Sequence, residues 1–152
     1  MVLSSAIVTL QEITKENLDN ILDLKVTSEQ ENFVASNAVS IAQAHFYPEV
    51  AWFRAIYVDE VPVGFVMLVD DQVNSSYYLW RFMIDARFQK HGFGQRTLKL
   101  VLKYAKTRPG AKELLTSCVT GDGSPGKFYE KMGFTDTGDM DEDGEMIMQY
   151  KF

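Results

Sequence analysis

The hydrophobic pattern changes period several times along the chain, and each change marks an element. Residues 6–10 (AIVTL) alternate and predict a strand. Leu18, Ile21 and Leu22 then fall at helical spacing behind Thr14, an N-cap residue type, and predict a helix over residues 15–26. A polar stretch, 28–33 (SEQENF), leads to a second helix over 36–45, capped by Ser36, with Pro48 beyond its end. Residues 52–58, 62–69 and 77–84 are aromatic and β-branched, with turns at Asp59-Glu60 and over 70–76. They read as an antiparallel meander.

From Gln95 the period is helical again, with Leu98, Val101, Leu102 and Ala105 on one face, until Pro109-Gly110. Residues 114–119 (LLTSCV) predict a strand. In the loop TGDGSPG (120–126), Ser124 and Pro125 look like the N-cap and first position of a short helix, KFYEKM, which ends at Gly133. Phe134 opens another strand, Asp143-Gly144 turns it, and 145–152 returns as the last. The order β-α-α-β-β-β-α-β-α-β-β predicts an α+β fold with one central mixed sheet. The unit over 77–119 should be a right-handed parallel crossover. With no repeat or low-complexity tract, all 152 residues are expected to form a single domain.

Charge narrows the partners. Fifteen Lys and Arg against 21 Asp and Glu give a net charge of −6. Phosphate-directed nucleic-acid binding needs clustered cations, so no nucleic-acid partner is expected and a cationic ligand suits better. The single Cys118 rules out a disulfide framework or a Cys-rich zinc site, and its apolar strand reads as a buried, inert thiol. His45 and His91 are too few and too far apart to suggest a metal cluster. No apolar run reaches the roughly 18 residues of a membrane span, and the start lacks the basic region of a signal peptide. A cytoplasmic protein with no membrane partner is therefore expected.

One loop carries candidate chemistry. Gln89-Lys90-His91-Gly92-Phe93-Gly94 follows a strand and opens an amphipathic helix. Glycines let the backbone turn sharply, and the first helical N–H groups point outward without internal partners, a geometry that suits a pyrophosphate. Lys90, His91 and Arg96 add possible positive charge. On its own such a loop is most often just a turn. It also lacks the third glycine of a dinucleotide fingerprint and the Gly-Lys-Ser/Thr of a P-loop. A companion follows: FYEKMGF at 128–134, whose Tyr129 lies 129 − 94 = 35 residues after Gly94, room for one helix, one strand and one loop.

These two motifs, in register, resemble those of the GCN5-related N-acetyltransferases. QKHGFG matches their Q/R-x-x-G-x-G/A loop and FYEKMGF their Tyr-x-x-x-Gly-Phe signature. The element order matches over nearly the whole chain, so the resemblance implies that family's fold, a mostly antiparallel mixed sheet flanked by helices. SEQENFVASNAVS (28–40) and RFMID (81–85) resemble the bacterial spermine/spermidine (diamine) N-acetyltransferases.

The resemblance implies transfer of acetyl from acetyl-CoA to a small-molecule amine, with a polyamine as the expected acceptor. It places the pyrophosphate on the backbone of residues 89–95 (Gln89, Lys90, His91, Gly92, Phe93, Gly94, Gln95). The pantetheine arm would lie along Phe82, Met83 and Ile84, with Asp122 and Lys127 from the second loop and helix also toward the cofactor. Many relatives carry Asn where Asp122 stands and Ala where Pro125 stands, and an ionised Asp accepts but cannot donate, which weakens the Asp122 assignment.

Tyr129 takes the position of the family's general acid; without the motif it would read as a core aromatic. The base is not visible. A Glu that some eukaryotic polyamine acetyltransferases carry on the preceding strand is matched here by Trp80, leaving a water relay or a carboxylate such as Glu31. Polyamine recognition calls for spaced carboxylates and aromatic faces, for which Glu29, Glu31, Asp71, Tyr78 and Trp80 are the candidates. Asp70, beside Asp71, is weighed with it, and the acidic run 139–145 reads as a solvated hairpin turn. The alternatives are another acceptor (a protein N-terminus, an amino acid or an aminoglycoside) and a non-catalytic acyl-CoA-binding module. A homodimer is expected by resemblance alone.

Overall fold

The computed structural model describes residues 5–152. Seven strands form one sheet: β1 (Val8–Gln11), β2 (Ala51–Val58), β3 (Val61–Asp71), β4 (Ser76–Ile84), β5 (Glu113–Cys118), β6 (Thr135–Met140) and β7 (Met146–Lys151). Four α-helices accompany them: α1 (Leu18–Leu22), α2 (Asn37–His45), α3 (Phe93–Lys106) and α4 (Gly126–Lys131). Apart from a 3-10 turn at Ala86–Phe88 between β4 and α3, the order of strands and α-helices among the described residues is the one expected. The strands lie in the order β1-β2-β3-β4-β5-β7-β6, antiparallel throughout except for the parallel pair β4–β5. Among the described residues no helix is long and apolar enough to cross a membrane.

Strand alternation sends side chains to two cores. Leu79, Leu114, Met148 and Phe134 pack under α3, whose inner face is Leu98, Val101, Leu102 and Ala105. Phe65, Met67 and Met83 pack on the other side against Ile21 of α1 and Ala44 of α2. Cys118 is buried in the first core, 3.8 Å from the Met148 sulfur, and burial pushes its thiol up, as befits an inert group.

The largest departure from the expected elements is α1, five residues instead of twelve. Thr14 does not cap it with its side chain; instead its carbonyl accepts from Leu18 N–H and its own N–H donates to Asn17 Oδ1. At the other end the Lys25 N–H donates to Asp85 Oδ2 and the Lys25 carbonyl accepts from Ala86. A residue sixty positions away thus pulls the chain out of the helix, a competition that local pattern cannot reveal. At α4 the start is one residue out: Pro125 is the cap, although the Ser124 hydroxyl does accept from Gly126 N–H. Ser36 caps α2 as expected, accepting from Val39 N–H.

The end of the sheet away from the glycine loop is closed by a charged, buried cluster. Asp70 accepts from the Tyr104 hydroxyl (2.6 Å) and Arg108 Nε (3.2 Å). Tyr104 stacks on Trp52 at 4.4 Å, while Arg54 and Arg108 cover the outer ring faces. Burial and Asp70 push the Tyr104 phenol up to about 12.

Candidate active site at the fork between β4 and β5

β4 and β5 are neighbours for only two residue pairs, Tyr78 with Leu115 and Leu79 with Thr116. The reason is visible on the opposite edge of β4. There Met67 pairs with Arg81 and Leu68 with Leu79, so Trp80 is an extra residue, a bulge. A bulge bends its strand and sharpens its twist. From Trp80 to Ile84 β4 therefore leaves β5, and its free edge opens on a cleft of about 1200 Å³. Pairing one edge and freeing the other leaves backbone groups able to pair with an extended ligand.

One end of the cleft is the glycine loop. Gly92, at φ +81°, is the N-cap of α3, a left-handed conformation that suits glycine. Arg96 N–H returns to the Gly92 carbonyl, which leaves the amides of Phe93, Gly94 and Gln95 as the orphan donors of a 14-residue helix. A Cβ on Gly94 would meet Ile84 and Phe128 only at 3.8 Å, ordinary contact, so the protein itself does not require glycine there.

Two latches hold the loop. Gln89 Nε2 donates to the Ile84 carbonyl and to Gln30 Oε1, both at 2.8 Å. Buried Asp85 accepts from the amides of Lys25 and Arg87 and from Arg87 Nε. Burial alone would raise the Asp85 pKa, but these donors outweigh it and hold the carboxyl below its ordinary range.

At the root of the fork stands Thr116, which donates to the Leu79 carbonyl and whose hydroxyl also interacts with the Tyr129 phenol. Tyr129 comes from α4, is buried beside Phe128 and Phe134, and still lines the cleft. Burial pushes its pKa well above the ordinary phenol value, with the Thr116 hydroxyl opposing. It is therefore a neutral O–H at physiological pH, a held proton at the fork.

The opposite face of the sheet is different in kind. The bulge places Trp80 and Arg81 together on the α2 side: Trp80 meets Tyr47 edge-on, and Arg81 donates to Gln43 Oε1 and to the Trp80 carbonyl. Arg81 Nε is buried without a partner. Beside them Tyr78 interacts with Ser117, and burial pushes its phenol up. The β6–β7 hairpin closes this side with Asp141, Glu142, Asp143 and Glu145, all lining the cleft. Glu31 reaches the same cleft from the loop between α1 and α2.

A family model described as Acetyltransferase (GNAT) family matches residues 16–134. The chain belongs to that family. As a GNAT acetyltransferase it is 28% identical over 150 residues to the spermine/spermidine N(1)-acetyltransferase of Bacillus subtilis strain 168, covering 93% of this chain and 96% of that protein. Its fold is that of the PaiA N-acetyltransferase of Thermoplasma acidophilum, solved with coenzyme A (TM-score 0.71, 16% identity, 96% of this chain and 99% of that one). It is also that of an aminoglycoside acetyltransferase solved with coenzyme A (TM-score 0.77, 14% identity, 95% of each chain). These likenesses establish the α+β fold expected from the motifs.

The acetyltransferase brings together many of the residues singled out in its sequence. Phe82, Met83, Ile84, Gln89, Lys90, Gly92, Phe93, Gly94, Gln95 and Tyr129 line the cleft, as do Tyr78, Trp80 and Glu31. Met83 does so by its backbone edge, since its sulfur takes the Asn37 amide in the α1–α2 core. Others lie elsewhere. His91 is exposed, 5.8 Å from the Phe93 ring, and Asp122, Lys127 and Glu29 are exposed and outside the cleft lining. Asp71 caps the β3–β4 turn by accepting from Asn74. Asp70 belongs to the buried cluster at the far end.

The acidic hairpin, read in sequence as a solvated turn, is an exposed turn between β6 and β7 and also lines the cleft. The signal for it was topological: β7 neighbours β5, so the turn before β7 must lie near the fork. Arg81 and Thr116 had no sequence signal, since their roles depend on the bulge and the two-pair register.

Proposed function

We propose that this acetyltransferase moves the acetyl group of acetyl-CoA to a primary amine of a polyamine such as spermidine or spermine, by direct attack with both substrates bound. The observation that carries the acceptor class is the acidic half of the cleft, where Glu31, Asp141, Glu142, Asp143 and Glu145 stand around Tyr78 and Trp80. Spaced carboxylates with aromatic faces suit a flexible chain bearing several positive charges. The names of the Bacillus subtilis relatives, at 27–28% identity, support the same reading.

The chain fits acetyl-CoA as its cosubstrate. The orphan amides of Phe93, Gly94 and Gln95 would take the pyrophosphate, with Lys90 beside them. The free edge of β4 over Phe82, Met83 and Ile84 would pair with the pantetheine amides, guiding the thioester to the fork. There Tyr129 would hold a proton for the departing sulfur, whose thiol pKa is about 8.5. The acceptor must lose a proton first: with an amine pKa of about 10.4, only about 1 molecule in 2,500 is neutral at pH 7. The acidic face supplies groups that can accept it.

A second reading has one observation behind it. Arg81 lines the acceptor half and its buried Nε has no partner, a cation that suits an acceptor carrying a carboxylate, such as an amino acid. Thiol release from acetyl-CoA decides between them, comparing spermidine, spermine, free amino acids, a peptide with a free N-terminus and no acceptor. Fast turnover on the polyamines alone is expected. Turnover on amino acids alone would reject the polyamine and assign Arg81 to the carboxylate.

A further inference from the structure

We propose, resting on the polyamine reading, that Glu145 is the base of this acetyltransferase and takes the proton of the acceptor ammonium on the sheet face opposite Tyr129. The placement follows from strand alternation. Thr116 and Cys118 of β5 point to the α4 side, where Thr116 meets Tyr129. Met146 and Met148 of β7 point the same way: Met148 touches Cys118, and Met146 approaches Gly126 of α4. Glu145, one residue before Met146, therefore falls on the other face, with Ser117, Tyr78 and Arg81. Met146 pairs with Cys118, two residues up β5 from the fork. At a rise of about 3.3 Å per residue, the Glu145 backbone stands about 10 Å from that of Thr116. That span accommodates an acid, a reacting carbonyl and an attacking amine in line.

Among the carboxylates of this cleft, Glu145 is set apart by its backbone and its freedom. Its N–H donates to Asp141 Oδ1 and its carbonyl accepts from Asp141 N–H, so the hairpin fixes its position. Its own carboxylate has no hydrogen bond or ion pair among the described residues. Asp141 is engaged by the amides of Asp143 and Glu145. Glu31, Glu142 and Asp143 are exposed, whereas Glu145 is half-buried. Burial, then Asp141 and Asp143, raise its pKa above the ordinary carboxylate value, with Arg81 opposing, which moves it toward the range useful to a base at neutral pH. Tyr78 of β4 also faces it, while Cys118 of β5, on the other face, feels its charge through the sheet.

The protons balance as follows. R–NH3+ gives one proton to the Glu145 carboxylate, which releases it to water. The nitrogen lone pair then forms the C–N bond with the acetyl carbonyl carbon, and the C–S bond breaks. Tyr129 protonates the sulfur, and the second proton lost from nitrogen returns to Tyr129 through Glu145 and solvent. The products are the amide, the free thiol and one proton in solution.

The test is Glu145→Gln beside Glu145→Asp, with spermidine as acceptor. Glu145→Gln should lower kcat/KM at pH 7 by about 100-fold, with acetyl-CoA affinity within about twofold of wild type. Its profile should climb about tenfold per pH unit between pH 6.5 and 9, because only the pre-formed free amine reacts, while the wild type stays level. Glu145→Asp, which retains a carboxylate, should keep the level profile at a reduced rate. A Glu145→Gln enzyme within threefold of wild type, or one raised only in KM with an unchanged profile, overturns the proposal. If the wild type turns over no polyamine, the acceptor reading fails by itself. The same profiles on whichever amine it does accept then decide Glu145 separately.

Discussion

The two halves of the cleft are held by different forces. The half proposed for the cofactor is backbone: a helix N-terminus, a left-handed glycine and the free edge of β4, fixed by the Gln89 and Asp85 latches. The half proposed for the acceptor is side chain: carboxylates on a hairpin, a bulged Trp80-Arg81 pair and Tyr78, drawn from segments far apart in sequence. Backbone geometry tolerates many sequences, while on the proposed reading side-chain charge selects the amine. In this account a family can share the first half and diversify through the second.

The sharpest way to break that division is at the fork itself. Tyr129→Phe keeps the packing and removes the proton, so kcat should fall by about 100-fold or more while acetyl-CoA binding persists. Steady-state rates with equilibrium titration of acetyl-CoA check both parts, and unchanged turnover would remove Tyr129 from the chemistry.

The buried, fully engaged Asp70 provides the contrast with Glu145, whose carboxylate has no hydrogen bond or ion pair among the described residues. Asp70→Asn weakens two charge-assisted hydrogen bonds and leaves Arg108 without its countercharge, which should destabilise the fold by about 2 to 3 kcal/mol. Urea unfolding would show it, and KM for either substrate should not move.

Within the cofactor half, Gly92→Ala forces a side chain into the left-handed region at a cost of about 1 to 2 kcal/mol. Relief of that strain by moving the loop should weaken acetyl-CoA about tenfold. Gly94→Ala, which meets only ordinary contacts within the protein, is the paired control in the same titration.

The smallest effect is a pH dependence at Asp85. Its folded pKa is depressed, so its contribution to stability is complete above the unfolded value of about 3.9 and is lost as pH falls through the folded value. Asp85→Asn should remove about 1 kcal/mol at neutral pH and flatten this part of the acid limb in denaturant melts recorded between pH 7 and pH 2.

The same contrast explains what the sequence disclosed. Gly92, Gly94 and Tyr129 are legible because a helix start and a short helix at fixed spacing are local features, and the aromatic and β-branched composition of 52–58, 62–69 and 77–84 is equally local. The end of α1 was not legible, since Lys25 leaves the helix for a carboxylate sixty residues away. Nor was the acidic hairpin: its composition is that of any solvated turn, and only the β5–β7 register brings it to the fork. Asp70 and Asp71 show the converse, two acidic residues at a strand end of which one is buried under Tyr104 and the other caps a turn.

The most direct test of the two-half account is amide hydrogen exchange of the wild-type protein, first with acetyl-CoA and then with spermidine added. The account predicts that acetyl-CoA protects the free edge of β4 from Trp80 to Ile84 and the α3 start at Phe93 to Gln95, and that spermidine adds protection over residues 141–145. Protection by acetyl-CoA that bypasses Trp80 to Ile84, or by spermidine that leaves the hairpin unchanged, would contradict it.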